Sequence, residues 1–239
     1  MKNNKFFTFV LVAIAIFAVL ANTNAVNAET ASFSYKQYPA EAHIWSEEPQ
    51  SIYLPNTNTD AVEVAAETQA AEDAEKLDGF VASVVNGNAN QIVGIYVNGV
   101  LADPVVQQPS GNAGWISEQD DVITQFASAS QFNVTGMLAH NTHAGIKFFN
   151  LEVGQEVLLV KGDGSFSAYR IDSIRQFQAL QPLSPYSDFL DLENGEKLSA
   201  VDLFYQVYSG DHHLTFQTCI ENDGEASWGR LFVMASPIE

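Results

Sequence analysis

The chain has 239 residues, which corresponds to one domain with appendages or to two small domains. Hydrophobic residues make up 46% and aromatic residues 11%, so the chain has enough apolar side chains to bury a core. With 29 acidic and 10 basic residues the net charge is −19, which argues against nucleic-acid binding and against electrostatic docking on anionic lipid. The single cysteine excludes an internal disulfide and a cysteine-rich zinc scaffold.

The N-terminus has the pattern of a secretory signal. Lys2 and Lys5 precede the apolar run Phe6–Ala21, and Val26-Asn27-Ala28 is an acceptable cleavage site. We therefore predict a signal peptide over residues 1–28, or, if it is not cleaved, a membrane anchor. In either case the rest of the chain is expected to work outside the cytoplasm, secreted or anchored to the bacterial cell membrane.

An acidic segment follows the signal. Residues 29–80 contain 11 Asp or Glu and 2 Lys and are rich in Ala, Thr and Asn. Within it, Asp60–Lys76 has the composition of a polar, solvated helix but lacks a broad apolar stripe. We interpret residues 29–80 as a spacer between the membrane or wall and a folded domain over residues 81–239.

The folded part alternates short apolar runs with turn residues. Asp163-Gly164 between two such runs predicts a hairpin. Two segments, Glu118–Ala129 and Leu198–Tyr208, are predicted as helices. Many short strands with few helices indicate a mainly β fold, a small barrel or a sandwich. The predicted strands are Gln91–Val97, Val105–Gln107, Val134–His140, Glu156–Lys161, Phe166–Ser173, Leu214–Cys219 and Leu231–Ala235.

Three residues suggest a site for nucleophilic chemistry. The only thiol, Cys219, ends a predicted strand, and Arg230 comes eleven residues later at the start of the next. In an antiparallel pair these ends lie side by side, where the cation lowers the thiol pKa and stabilises an oxyanion. His140 ends another strand before a loop, and its near-neutral pKa suits protonation of a leaving amine.

These residues resemble the sortase family. Thr215-Phe216-Gln217-Thr218-Cys219 is similar to the sortase signature T-L-x-T-C, with Phe in place of Leu. Arg230 matches the family's arginine, and Ala139-His140-Asn141 matches its histidine. The order His, Cys, Arg is also that of the family, and the resemblance extends roughly from Ile92 to Ala235.

The resemblance implies a sortase-like closed β-barrel of eight strands with one or two short helices. It also implies a cysteine transpeptidase that cleaves an LPxTG-like sorting peptide of secreted or surface proteins through a thioacyl intermediate. The acceptor is then an amine on the cell wall or on another protein. By the same resemblance Cys219 is the nucleophile, His140 the general acid and base, and Arg230 the clamp on the substrate carbonyl and oxyanion, with support from Thr215 and Thr218.

Two other functions remain open at this point. A cysteine hydrolase would use the same residues, with water in place of the amine. A non-catalytic β-domain would bind peptides or wall components through the same cleft.

No cofactor or metal is expected, although some sortases bind calcium. The acidic cluster Glu118, Asp120 and Asp121 is a calcium candidate, or simply the negative charge of a helix N-terminus. A zinc site is a weaker alternative because its ligands are spread over three segments, namely His140, His143, His212, His213 and Cys219.

One motif in the spacer resembles a sorting signal. Leu54-Pro55-Asn56-Thr57-Asn58 differs from it by Asn in place of Gly, and neither an apolar span nor a basic tail follows. A Pro/Asn turn explains the motif most simply. The alternative is a pseudosubstrate that occupies the chain's own cleft.

Overall fold

The computed structural model describes residues 59–112 and 114–238, with side chains from residue 67 onward. The predicted signal, most of the spacer and the Leu54–Asn58 motif lie outside these residues. The chain forms two compact units, and their boundary in the described residues lies between Glu72 and Asp73. The residues from Asp73 onward belong to the same unit as the barrel. None of the described helices combines the length and the apolar character needed to cross a bilayer.

The first element is a long polar helix, α1 (Thr59–Val84), rich in the strong helix formers Ala and Glu. It includes the segment expected to be a solvated helix and continues eight residues beyond Lys76. The last turns pack on the barrel, because the space next to Gly94 is filled by Phe80 and Val84. Asn98 donates a 2.7 Å hydrogen bond to Asp73, which also fixes the helix.

In the described residues after α1 there are ten strands, a second α-helix near the C-terminal end and two 3-10 helices. The strands are β1 (Ile92–Val97), β2 (Leu101–Gln107), β3 (Ile123–Phe126), β4 (Val134–Leu138), β5 (Glu156–Lys161), β6 (Phe166–Ala179), β7 (Phe189–Asp191), β8 (Lys197–Leu198), β9 (His213–Asn222) and β10 (Glu225–Pro237). The 3-10 helices are η1 (Ala129–Phe132) and η2 (Ala144–Asn150), and the second α-helix is α2 (Ala200–Tyr208).

Eight of these strands close into a barrel. Their order is β10-β9-β4-β3-β2-β1-β5-β6, and the pairing of β6 with β10 completes the ring, while β7 and β8 extend from β6. Most neighbours are antiparallel, but β2 pairs with β3 and β4 with β9 in parallel. The closed eight-stranded β-barrel that the sequence resemblance implies is confirmed.

The strand residues alternate between two hydrophobic clusters. The first cluster fills the barrel and includes Ile95, Phe216 and Val233. The second contains Cys219 and Phe232 from the opposite face of the same strands, together with buried side chains of α2. Because alternate residues of a strand face opposite sides, this second cluster lies on the outer face of the barrel wall, beneath α2.

The sequence predicted most strands but one helix wrongly. Glu118–Ala129 is not helical: Asp121 has a left-handed φ of 56°, and Ile123–Phe126 forms β3. Its β-branched and aromatic residues pair with β2 and β4, and this tertiary pairing outweighs the helical spacing. The helix predicted at Leu198–Tyr208 is confirmed as α2, which begins after the N-cap Ser199.

The contact between α1 and the barrel gives a first prediction. A Cβ at Gly94 would lie 2.8 Å from Phe80, so Gly94→Val should displace the end of α1 and lower stability by about 1–3 kcal/mol. Hydrogen exchange should accelerate in residues 76–84 while the β-sheet circular dichroism stays unchanged. Gly79→Ala is the matched control, since nothing lies within 4 Å of its Cβ, and equal effects of both substitutions would contradict this packing.

Candidate active site

Cys219 and Arg230 lie directly opposite each other on neighbouring strands. They are Cα partners in the antiparallel pairing of β9 with β10. Both lie on the outer face of the barrel wall, because Phe232, two residues after Arg230, belongs to the same outer cluster as Cys219. The side-by-side arrangement predicted from the eleven-residue step is present, but both residues lie inside their strands, since β9 continues to Asn222 and β10 begins at Glu225.

The parallel pairing of β4 with β9 ends just before His140. Leu138 is the Cα partner of Gln217, and the Ala139 amide donates a 3.3 Å hydrogen bond to the Gln217 carbonyl. His140 and Cys219 each follow this junction by one or two residues. The end of β4 therefore leads towards the part of β9 that carries the thiol, on the side away from β10 and Arg230.

A tight turn fixes the backbone after His140. The His140 carbonyl accepts hydrogen bonds from the amides of His143 and Gly145, both at 3.0 Å. A Cβ at Gly145 would lie 2.4 Å from Thr218 Oγ1 and 2.7 Å from the His140 carbonyl oxygen. Only glycine allows η2 to approach β9 this closely.

The thiol is more buried than the sequence suggested. Cys219 is 1% exposed and belongs to a hydrophobic cluster. Burial raises the pKa of the Cys219 thiol; Arg230 and a hydrogen bond from Ser227 lower it, and Glu225 raises it further. The net direction is upward, so the expectation that Arg230 gives Cys219 a lowered pKa is corrected. The cation acts in the predicted direction, but desolvation of the thiolate outweighs it.

Arg230 is also enclosed. It is 1% exposed, and its Nη1 donates to the carbonyls of Ser227 at 3.0 Å and Gly229 at 2.8 Å. These bonds hold the planar guanidinium against the start of β10. A buried guanidinium keeps its positive charge, so it remains an electrostatic partner for any negative charge that develops at Cys219.

Carboxylates surround the two neighbouring histidines. The His140 ring is 5% exposed, and its Nε2 lies 3.4 Å from Glu118 Oε1. His143 faces Asp120 Oδ1 at 2.7 Å through Nδ1 and Glu118 Oε2 at 3.7 Å through Nε2. Burial lowers the pKa of His140; Glu118 raises it and His143 lowers it. Sequence reasoning noted Glu118 only as part of an acidic cluster, because its contact with His140 depends on the unexpected course of the chain before β3.

The hydroxyl groups of the two threonines of the motif donate hydrogen bonds to backbone carbonyls. Thr215 Oγ1 donates to the Val207 carbonyl at 2.8 Å, and Thr218 Oγ1 donates to the Ala139 carbonyl at 2.9 Å. Thr218 also faces the side of β9 opposite to Cys219. The support of substrate or oxyanion by Thr215 and Thr218 stays a prediction, and these hydrogen bonds add a positioning role, with Thr218 tying the end of β4 to β9.

The candidate metal ligands do not assemble. Within the described part of the chain no group of three or more His, Cys, Asp or Glu side chains is arranged to hold a metal ion. Asp121 pairs with Lys147 at 2.7 Å, while Glu118 and Asp120 face imidazoles, so the three carboxylates do not converge on one point.

The other two histidines of the described residues, His212 and His213, lie just before and at the start of β9, several residues from the thiol. His212 contacts the Tyr169 hydroxyl and the Asn133 carbonyl, both at 2.9 Å. His213 lies 2.7 Å from the Asp211 carbonyl and 3.1 Å from that of Val207.

Two surface cavities lie away from this arrangement. One of about 370 Å³ is lined by Lys76, Tyr96, Asp103 and Lys147 among others, and one of about 180 Å³ by Asp172 and His212 among others. Neither is lined by Cys219, His140 or Arg230, which agrees with the enclosed position of these three side chains.

Solved structures of sortases are similar to this chain. The sortase D5 transpeptidase of Clostridium perfringens is 14% identical over 70% of this chain and 89% of its own, with a TM-score of 0.41. Sortase C1 from Streptococcus suis is 13% identical over 80% and 89%, with a TM-score of 0.41. Sortase A of Listeria monocytogenes is 11% identical over 62% and 87%, with a TM-score of 0.40.

No family model and no curated relative matches the chain. At such identities and TM-scores the likeness identifies no residue of the site.

The burial of the thiol leads to a prediction about its reactivity. Because the pKa of Cys219 is raised, the thiolate fraction is small at neutral pH, and iodoacetamide should modify the folded protein slowly. The rate should still be rising between about pH 8 and 10 and should increase on unfolding in urea. Mass spectrometry measures the modified fraction. A native rate that is already maximal at pH 7 would contradict the assigned direction of the shift.

The close approach at Gly145 leads to another. Gly145→Ala should separate η2 from Thr218 and displace His140, with a cost of about 1–3 kcal/mol from overpacking. Thermal unfolding measures the loss, and Gly79→Ala serves again as the control with free space around its Cβ. Unchanged stability and an unchanged His140 NMR signal in the variant would show that this turn has room to relax.

Proposed function

We propose that this protein is a sortase-type cysteine transpeptidase acting on exported proteins outside the cytoplasmic membrane. The observation that carries the proposal is that Cys219 and Arg230 are directly opposite partners on β9 and β10, while His140 follows the end of β4, the other neighbour of β9. The proposed substrates carry an LPxTG-like sorting signal, and the proposed acceptor is an amine of the cell wall or of another protein. The motif resemblance in Thr215–Cys219 supports the same reading.

Each of the three groups has a defined task in the proposed reaction. The Cys219 thiolate attacks the scissile carbonyl, so a C–S bond forms and negative charge develops on the oxygen. Arg230 stabilises this charge. As the C–N bond breaks, protonated His140 gives its proton to the leaving amine. An incoming amine then attacks the thioester, loses its proton to His140, and releases the thiolate.

Access to the sulfur is a requirement of this proposal. Cys219 is buried in a cluster that contains Leu203, Phe204 and Tyr208 of α2, so a peptide reaches it only after this cover moves. The cover belongs to the region between β6 and β9, which includes the short strands β7 and β8. We therefore propose that substrate binding exposes the thiol and that the extended peptide then excludes water.

The burial of Cys219 favours a second candidate, a non-catalytic β-domain. A thiol with a raised pKa inside a hydrophobic cluster behaves as a small apolar side chain. In this alternative the barrel binds peptides without cleaving them. Arg230 and His140 then contribute to structure only.

A peptide assay separates these functions. A fluorogenic peptide with an LPxTG core is incubated with the protein and an amine such as triglycine. The transpeptidase gives a transfer product and a thioester adduct on Cys219 detectable by mass spectrometry, whereas a hydrolase gives cleavage only. Binding without cleavage indicates the non-catalytic domain.

Two substitutions assign the roles. Cys219→Ala should abolish both transfer and cleavage while the melting temperature changes little, because the side chains are similar in size. Arg230→Lys keeps the charge but loses the planar fork, and we expect kcat/KM to fall by at least about 100-fold. Near-full activity of Arg230→Lys would contradict the clamp role, and activity of Cys219→Ala would contradict the thioacyl route.

A further inference from the structure

One carboxylate bridges the two neighbouring imidazoles. Glu118 Oε1 lies 3.4 Å from His140 Nε2, and Glu118 Oε2 lies 3.7 Å from His143 Nε2. The side chain of Glu118 is 70% exposed, whereas the His140 ring is 5% exposed. An exposed ion pair contributes little free energy, so the pair alone does not hold the Glu118 side chain against the buried ring. Other contacts must fix its position.

These contacts are a set of tethers on both sides of Glu118. Before it, the Ser117 amide donates a 2.9 Å hydrogen bond to Thr124 Oγ1 on β3. After it, Asp120 meets His143 Nδ1 at 2.7 Å, and Asp121, with its left-handed backbone, meets Lys147 at 2.7 Å.

Lys147 connects this loop to the barrel wall. Its ammonium also lies 2.7 Å from Oδ1 of Asp103, a β2 residue that is 2% exposed. Burial raises the pKa of Asp103, while Lys147 lowers it. The loop before β3 is therefore anchored to η2 by the ion pair of Asp121 with Lys147. The ion pair of Lys147 with Asp103 connects it to the barrel wall. This arrangement gives His143 a role that is separate from proton transfer.

The negative charge of Glu118 partly offsets the desolvation free energy that disfavours protonation of His140. Desolvation disfavours the imidazolium, and so does the neighbouring His143, whose ring centroid lies 5.9 Å away. Glu118 is the facing group that favours it. A general acid must hold its proton until the leaving amine takes it.

We propose that Glu118 is a positioning residue for His140, fixing its ring and stabilising its protonated form. The inference rests on the proposed transpeptidase function. Because Nε2 faces Glu118, Nδ1 is the ring nitrogen left to exchange the proton with the leaving and incoming amines. His143–Asp120 and Lys147–Asp121 act one step further out, by holding the loop that carries Glu118.

The test compares Glu118→Gln with Glu118→Asp and with Glu156→Gln, an exposed glutamate on β5. Replacing the carboxylate by an amide removes the opposite charge, so the pKa of His140 should fall by about one unit. Because the pKa of His140 is lowered and that of Cys219 is raised, the acid limb of the kcat/KM profile reports His140. This limb should shift to lower pH by the same amount, and kcat/KM at pH 7.5 should fall about tenfold because the protonated fraction of His140 falls. Glu118→Asp should recover part of the activity, and Glu156→Gln should match the wild type.

A second measurement does not depend on turnover. NMR titration of the His140 ring, in a Cys219→Ala background with and without Glu118→Gln, reports the pKa and the tautomer directly. A lowered pKa together with an altered tautomer supports the proposal even if no peptide is cleaved, in which case only the transpeptidase function fails. An unchanged titration of His140, or a pH profile like that of Glu156→Gln, overturns the role of Glu118.

Discussion

The pairing of β9 with both of its neighbours is the constraint on which the site depends. On one side the parallel ladder with β4 brings the chain beyond Leu138 beside Gln217, and Thr218 ties the same junction through the Ala139 carbonyl. On the other side the antiparallel ladder with β10 fixes Arg230 opposite Cys219. Since side chains alternate strictly along a strand, a shift of one residue in either ladder would turn a partner to the opposite face.

Burial sets the chemical character of this site. The same outer cluster that packs α2 on the barrel also encloses Cys219, and it raises the pKa of the thiol despite the adjacent cation. Low solvent access weakens the nucleophile but strengthens every electrostatic interaction within the site. The protonation of His140 therefore depends on the exposed charges beside its ring, such as Glu118, whose Oε1 lies 3.4 Å from His140 Nε2.

The sequence was sufficient for the elements with clear local signals. The strand Glu156–Lys161 was predicted to the residue, and α2 was recognised from its apolar spacing. The helix prediction for the segment around Glu118 was wrong because this segment combines helical spacing with strand-forming residues. Pairing of β3 with β2 and β4 favours the strand. The spacing of the motifs predicted that Arg230 lies next to Cys219 on the neighbouring strand. The burial of Cys219 was not predictable, because it depends on how α2 and the segment before α2 cover the outer face of the barrel. No local sequence pattern encodes that packing.

The junction between Ala139 and Thr218 spans 79 positions of the chain. Contacts that distant form late, since the entropy of closing a long loop has to be overcome before they contribute. Arg230 lies later still, so a growing polypeptide acquires the histidine first, the thiol second and the guanidinium last. A molecule interrupted before β10 would thus hold the cysteine without the arginine, and assembly of the reactive centre would coincide with completion of the ring.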